Sequence, residues 1–153
     1  DGKLDYPDSV LAGFDVVVAA IHTGFKQSKK QITKRLVRAC KNKFVDIIAH
    51  PTGKLWGVRE PYEIDWEELF LAAADCRTAM EINAYPLRLD LNDLNCRRAK
   101  EKGIKLVIST DSHTTDQLKY MHLGVSTARR GWVTKADVLN TLAYEEVKNL
   151  FRK

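Results

Sequence analysis

Short apolar runs alternate with longer amphipathic stretches along the chain. Residues 15–21, 44–49, 78–83 and 104–109 are dense in Val, Ile, Leu and Ala and too short for buried helices, so they read as strands covered on both faces. The stretches between them follow helical spacing. Ser28 is placed to cap a helix running to about residue 42, with Ile32, Leu36, Ala39 and Cys40 on its inner face and its lysines and arginines outside. Asp65-Trp66-Glu67-Glu68 has the form of a capping box, opening a helix to about residue 75 that buries Leu69, Phe70 and Ala73. A helix from about Asn92 stops at Gly103, a natural left-handed terminator. Residues 116–122 suit a short helix, Thr134-Lys135-Ala136-Asp137 opens another, and 144–152 forms a last one. A long loop, from His50 to Tyr62, holds two of the four prolines.

Four βα units in series predict an α/β fold: a parallel sheet of about four strands joined by right-handed helical crossovers. The sheet is either small and open or part of a barrel, because a complete eight-fold barrel takes about 250 residues. No linker or low-complexity segment divides residues 1–153, which are read as one domain. Asp1-Gly2 reads as a loop with no strand before it, so βα units are expected upstream.

Composition adds limits rather than a function. The 153 residues are 44% apolar and 29% charged, ordinary for a soluble globular domain. No apolar run approaches the roughly 20 residues of a membrane span, and the first residues carry no signal pattern. No membrane partner is expected. Cys40, Cys76 and Cys96 are odd in number and fall in or near helix-like segments, which suits buried free thiols in a reducing, cytoplasmic setting. A formal charge of +5 permits an anionic partner without demanding one, since the lysines are spread along the chain.

The candidate chemistry sits where the apolar runs end. His22, His50 and His113 each follow such a run, and Asp111 stands two residues before His113. If the runs are parallel strands, these side chains emerge at one rim of one sheet, where α/β proteins place their sites. Imidazoles and a carboxylate converging there make a candidate Zn, Mn or Fe site, against the plainer reading of satisfied surface or core histidines. His122 lies outside the pattern and reads as structural. Glu81 and Asn83, at the remaining strand end, are two apart. Glu81 would bind metal, brace a ligating imidazole or hold the following loop. Arg59, Arg88, Arg129 and Arg130 stand near the same rims as phosphate or DNA contacts, or as solvated charges. Trp56, Tyr62, Tyr85 and Trp132 lie in or near those loops and would stack a base or pack the core. No serine-nucleophile, P-loop, dinucleotide or zinc-finger motif is present.

Taken in order, His22-Thr23-Gly24-Phe25, His50-Pro51-Thr52-Gly53, Glu81-Ile82-Asn83-Ala84, Thr110-Asp111-Ser112-His113 and Thr127-Ala128-Arg129-Arg130-Gly131-Trp132 resemble the later motifs of a PHP (polymerase and histidinol phosphatase) domain. The version at the C-terminus of bacterial and archaeal family-X DNA polymerases is the most similar. Asp1-Gly2-Lys3-Leu4-Asp5-Tyr6-Pro7 and Arg88-Leu89-Asp90-Leu91-Asn92-Asp93 also resemble it. The resemblance implies a distorted (β/α)7 barrel with up to three Mn, Zn or Fe ions at its mouth. By motif match it implies His22, His50, Asp111 and His113 as ligands, with Asp111 and His113 in the catalytic machinery and an arginine such as Arg88 or Arg129 on the phosphate. The family's earlier ligand motifs have no counterpart here, so the chain is expected to be the C-terminal portion of such a domain. Roughly the first three strands would be absent, fewer ions bound and activity weak.

The resemblance further implies a metal-dependent phosphoesterase that removes nucleotides from DNA 3′ ends, alongside an upstream PHP segment and polymerase domains of a parent chain. Two alternatives stand beside it. One is a small-molecule phosphatase resembling histidinol-phosphate phosphatase. The other is a non-catalytic module that positions DNA.

Overall fold

A computed structural model describes residues 2–151. Four strands, β1 (Val18–Ala19), β2 (Ile47–Ile48), β3 (Ala79–Asn83) and β4 (Leu106–Ser109), pair in parallel in chain order. Val18 and Ile47, Ile47 and Ala79, and Met80 and Leu106 set the register. Each crossover is a helix: α2 (Lys29–Cys40), α3 (Trp66–Cys76) and α4 (Asp93–Glu101), after a single preceding turn, α1 (Asp8–Leu11), that the apolar pattern does not predict. The architecture is α/β with an all-parallel sheet, consistent with part of a PHP-type barrel.

The helix starts follow their cap chemistry. Ser28 accepts from the Gln31 backbone and the Gln31 side chain reaches back, a complete capping box. Asp65 accepts from Glu68 N–H. The reciprocal bond from Glu68 is not formed, because Asp65 N–H donates instead to the Thr33 hydroxyl at 2.9 Å, so only the forward half of that predicted box exists. Asn92 caps α4, and Gly103 follows it at φ +72°.

Two expectations need correction. The first two strands are two residues long rather than six or seven. Asp46 explains part of this: its carboxylate accepts Val17 N–H at 2.8 Å, so that group is satisfied by a side chain rather than by a strand. The region after His113 is also more helical than the 116–122 segment predicted. A 3-10 helix (Thr115–Tyr120) runs into α5 (Met121–Arg130). The buried positions of α5 are Gly124 and Ala128, so it offers no stripe of large apolar residues to read. A Cβ on Gly124 would lie 2.6 Å from Ile108 Cγ2 and 2.9 Å from Ala84 Cβ, so the helix lies directly on the sheet. Two 3-10 turns (Lys135–Asp137 and Leu139–Thr141) lead to α6 (Tyr144–Phe151). The Arg152 end expected for that last helix lies outside the described residues.

The main core joins α2, α3 and α4 to the sheet through Ile32, Leu36, Leu69, Phe70, Cys96, Met80 and Leu106. A smaller cluster of Ile47, Ala79, Leu139 and Phe151 closes the far side. Cys40 and Cys96 are buried and Cys76 half-buried, all as free thiols. Among the described residues no helix is long and apolar enough to cross a membrane.

Candidate functional site

The rim is organised around Glu81, which is 7% exposed. One carboxylate oxygen accepts His50 N–H at 2.5 Å and Asn83 Nδ2 at 3.2 Å; the other accepts the Ser109 hydroxyl. A side chain on β3 thereby fastens the residue that follows β2 to the end of β4. Glu81 holds the backbone of His50 rather than its imidazole. Burial raises its pKa, and the three donors oppose that rise. Asn83 is fully buried, and its Oδ1 accepts Tyr85 N–H at 3.0 Å, setting the start of the next loop.

His50, at φ +29°, turns the chain sharply out of the sheet. Its ring is buried, and Nδ1 has no hydrogen-bond partner. Burial, with the nearby Arg88 charge, lowers its pKa to about 4, while Asp111 acts in the opposite direction. The imidazole is therefore neutral at physiological pH, the form that ligates a metal. His22, exposed at the end of the first apolar run, places its ring centroid 5.6 Å from that of His50, with the planes tilted by 39°.

Asp111, at φ +51°, gives its Oδ2 to Arg88 Nε at 2.9 Å, a half-buried ion pair. Arg88 also donates to Lys54 O at 3.4 Å, binding two rim loops together. His113 is exposed, with Nδ1 2.7 Å from Asp111 O. A carbonyl only accepts, so Nδ1 is the donor in this contact.

Asp90 escaped the sequence reading as a site residue. The signal was an acid between Leu89 and Leu91. Its backbone pairs with Asn83 in both directions, at 2.5 and 3.2 Å. Its Oδ2 accepts Thr52 N–H at 2.9 Å and the Thr52 hydroxyl at 2.7 Å, whereas buried Oδ1 has no partner. Burial pushes its pKa up to about 6 despite the Thr52 bonds.

The other candidates are dispersed. Arg59 donates from Nε to Gly53 O at 2.6 Å and lies over the Phe25 ring, 4.0 Å from its centroid. Arg129 is exposed at the end of α5, and Arg130 pairs with Asp93 at 2.8 Å. Tyr62 is buried under the loop, so it packs the core and offers no face to a base. Tyr85 meets Tyr120 edge-on, and the Arg97 guanidinium lies 4.0 Å from the Trp132 ring centroid. Trp56 is exposed. His122 sits on the surface of α5 with Nδ1 2.7 Å from Lys119 O.

The donor chemistry at the rim suits a divalent cation: two neighbouring imidazoles, one with an unpartnered buried nitrogen, and a carboxylate next to them. Its enclosure is incomplete. Among the described residues no three or more His, Cys, Asp or Glu side chains are gathered closely enough to hold an ion. Asp111 is turned instead onto Arg88.

No family model matches the chain. Over all 153 residues it is 47% identical to a segment making up 27% of the DNA polymerase/3'-5' exonuclease PolX of Bacillus subtilis (strain 168). It is 34% identical over 126 residues to a "Probable phosphatase" of Shewanella sp. (strain ANA-3), covering 77% of this chain and 48% of that protein. A "Probable phosphatase" of Thermoanaerobacter sp. (strain X514) is 29% identical over 150 residues, 92% of this chain and 59% of the relative. The chain thus spans about a quarter of PolX and about half of these phosphatases. Whole-length similarity to PolX, the parallel α/β sheet and the order of its rim motifs together identify the chain as resembling the C-terminal portion of a PHP domain of the kind found in family-X DNA polymerases.

Proposed function

We propose that the chain contributes to a metal-dependent phosphoesterase that cleaves DNA phosphodiesters from the 3′ end. The observation that carries this reading is the facing pair His22 and His50 at adjacent strand ends, beside the Asp111–Arg88 pair. His22, His50, Asp111 and His113 would hold the cation. Such an ion, when bound, supplies Lewis acidity at phosphorus. The chain's own groups do the rest. Glu81 fixes the His50 backbone, and the neutral His50 ring presents a nitrogen lone pair. Arg88 neutralises Asp111 at rest; on release, its planar fork suits two phosphoryl oxygens. The likeness to PolX, whose name includes 3'-5' exonuclease, supports a DNA substrate.

The phosphatases among the relatives support a second reading, hydrolysis of a small phosphomonoester. The test supplies Mn²⁺ to this chain and to a version extended upstream, and follows shortening of a 5′-labelled single strand. The expected result is loss of nucleotides from the 3′ end, abolished in His50→Ala and His113→Ala. An uncut strand with phosphate released from a monoester selects the second reading. Steeply salt-dependent DNA binding with no hydrolysis of either substrate selects a DNA-positioning module instead.

A further inference from the structure

The loop after His50 folds into a tight hairpin whose tip is apolar and exposed. Leu55 and Arg59 bridge antiparallel, with N–H to O distances of 2.9 and 2.7 Å. Gly57 turns the tip at φ +74° into open space. On either side of it Trp56 is 62% exposed and Val58 75%. This exposure is built rather than slack. Trp56 N–H donates to Leu87 O at 2.8 Å, Arg59 Nε to Gly53 O at 2.6 Å, and Arg88 Nη1 to Lys54 O at 3.4 Å. The base of the loop packs against Tyr62, whose ring fills the space a Cβ on Gly53 would occupy. The Lys54 ammonium lies 5.3 Å from the Trp56 ring centroid. The indole, carried on a backbone held in this way, thus stands beside one cation and one backbone contact from the segment carrying Arg88, which pairs with Asp111.

We propose that Trp56 is the stacking platform for an unpaired nucleobase at a single-stranded DNA end, with Lys54 on the adjoining phosphate. The proposal rests on the DNA phosphoesterase reading and names the substrate feature that selects DNA over a small phosphomonoester. A π face accepts any base, and an unpaired base can turn out of its stack to meet it. A loop backbone already fixed by its own bonds loses little conformational entropy on binding. Among the other rim aromatics Tyr62 is buried and Tyr85 is edge-on to Tyr120; Trp132 is as exposed as Trp56 but has the Arg97 guanidinium closer to its ring, 4.0 Å against 5.3 Å for Lys54, and is not bonded to the segment carrying Arg88.

The test measures binding without metal, using labelled oligothymidylate and an abasic oligomer of equal length and charge. Trp56→Ala should bind oligothymidylate about tenfold more weakly, roughly 1.4 kcal/mol, and the abasic oligomer as wild type does. Trp56→Phe should keep most of the affinity, and circular dichroism should show both variants folded. Equal binding of oligothymidylate by wild type and Trp56→Ala, or an equal loss on both oligomers, overturns the platform while the DNA reading stands. Failure of wild type to bind either oligomer overturns both. A change in sedimentation of Trp56→Ala with oligomer affinity intact assigns the tip to a protein contact and overturns the proposal.

Discussion

Removing the Glu81 side chain should damage the fold more than any surface change at the rim, and the size of the effect follows from its three bonds. The carboxylate accepts His50 N–H, Asn83 Nδ2 and the Ser109 hydroxyl while almost wholly buried. A hydrogen bond to a charged group contributes about 1.5–3 kcal/mol, and a buried donor left unpaired costs about 1–3 kcal/mol. Part of this is offset by the desolvation of the carboxylate itself, visible in its raised pKa. Glu81→Ala should therefore lose about 3–5 kcal/mol, a large part of the roughly 5–15 kcal/mol typical of a domain. Glu81→Gln should stay within about 1 kcal/mol of wild type. Its carbonyl can accept from His50 and Asn83, and its amide can donate to the Ser109 oxygen, which turns from donor to acceptor. Urea unfolding followed by circular dichroism measures both variants, with unchanged slopes as the control. Glu81→Ala within about 1 kcal/mol of wild type would refute the three-strand fastening. Glu81→Gln as damaged as Glu81→Ala would show that the negative charge, not the bond pattern, is what the site needs.

Further outcomes can be checked in the same way. The folded pKa of Asp90 lies near 6, above its ordinary 3.8, so folding favours the protonated acid and stability falls as pH rises from about 4 to about 6. The fall is on the order of 3 kcal/mol and should be absent in Asp90→Asn, so urea midpoints of the two proteins should agree at pH 4 and separate by pH 7; parallel pH profiles would refute it. Arg88→Gln should release Asp111 and raise Mn²⁺ affinity several-fold by calorimetry, while oligonucleotide binding weakens; unchanged Mn²⁺ affinity would show that the ion pair does not restrain the carboxylate. Burial pushes the Cys96 thiol up to about 12, so a thiol reagent at pH 8 should label half-buried Cys76 well before Cys96 in the native protein. Equal labelling rates would contradict that burial. Gly53→Ala should be strongly destabilising in a thermal melt, because the new methyl would meet the Tyr62 ring 2.0 Å away at a residue with φ +61°; an unchanged melting temperature would contradict this packing.

The sheet and its three crossovers were legible because each apolar run is short and separated from the next by an amphipathic helix with a recognisable cap. Ile32, Leu36, Leu69 and Phe70 are buried as their spacing requires. Helix α5 was not legible: it packs through Gly124 and Ala128, and small residues leave no hydrophobic stripe. At the rim, the apolar runs located His22 and His50 at adjacent strand ends, where their rings do face each other. The Arg88–Asp111 pair joins residues 23 apart in sequence, a contact that local spacing cannot report. The work of Asp90 was hidden for a related reason, since its partner Thr52 lies 38 residues away on another loop.

That link has a dynamic consequence. Asp90 is tied by its backbone to the end of β3 and by its carboxylate to Thr52, while Trp56 and Lys54 bond to Leu87 and Arg88. The two rim loops are one mechanical plate. Neither opens without breaking bonds in the other, so their amides should exchange with solvent as a single cooperative unit, at one common opening free energy.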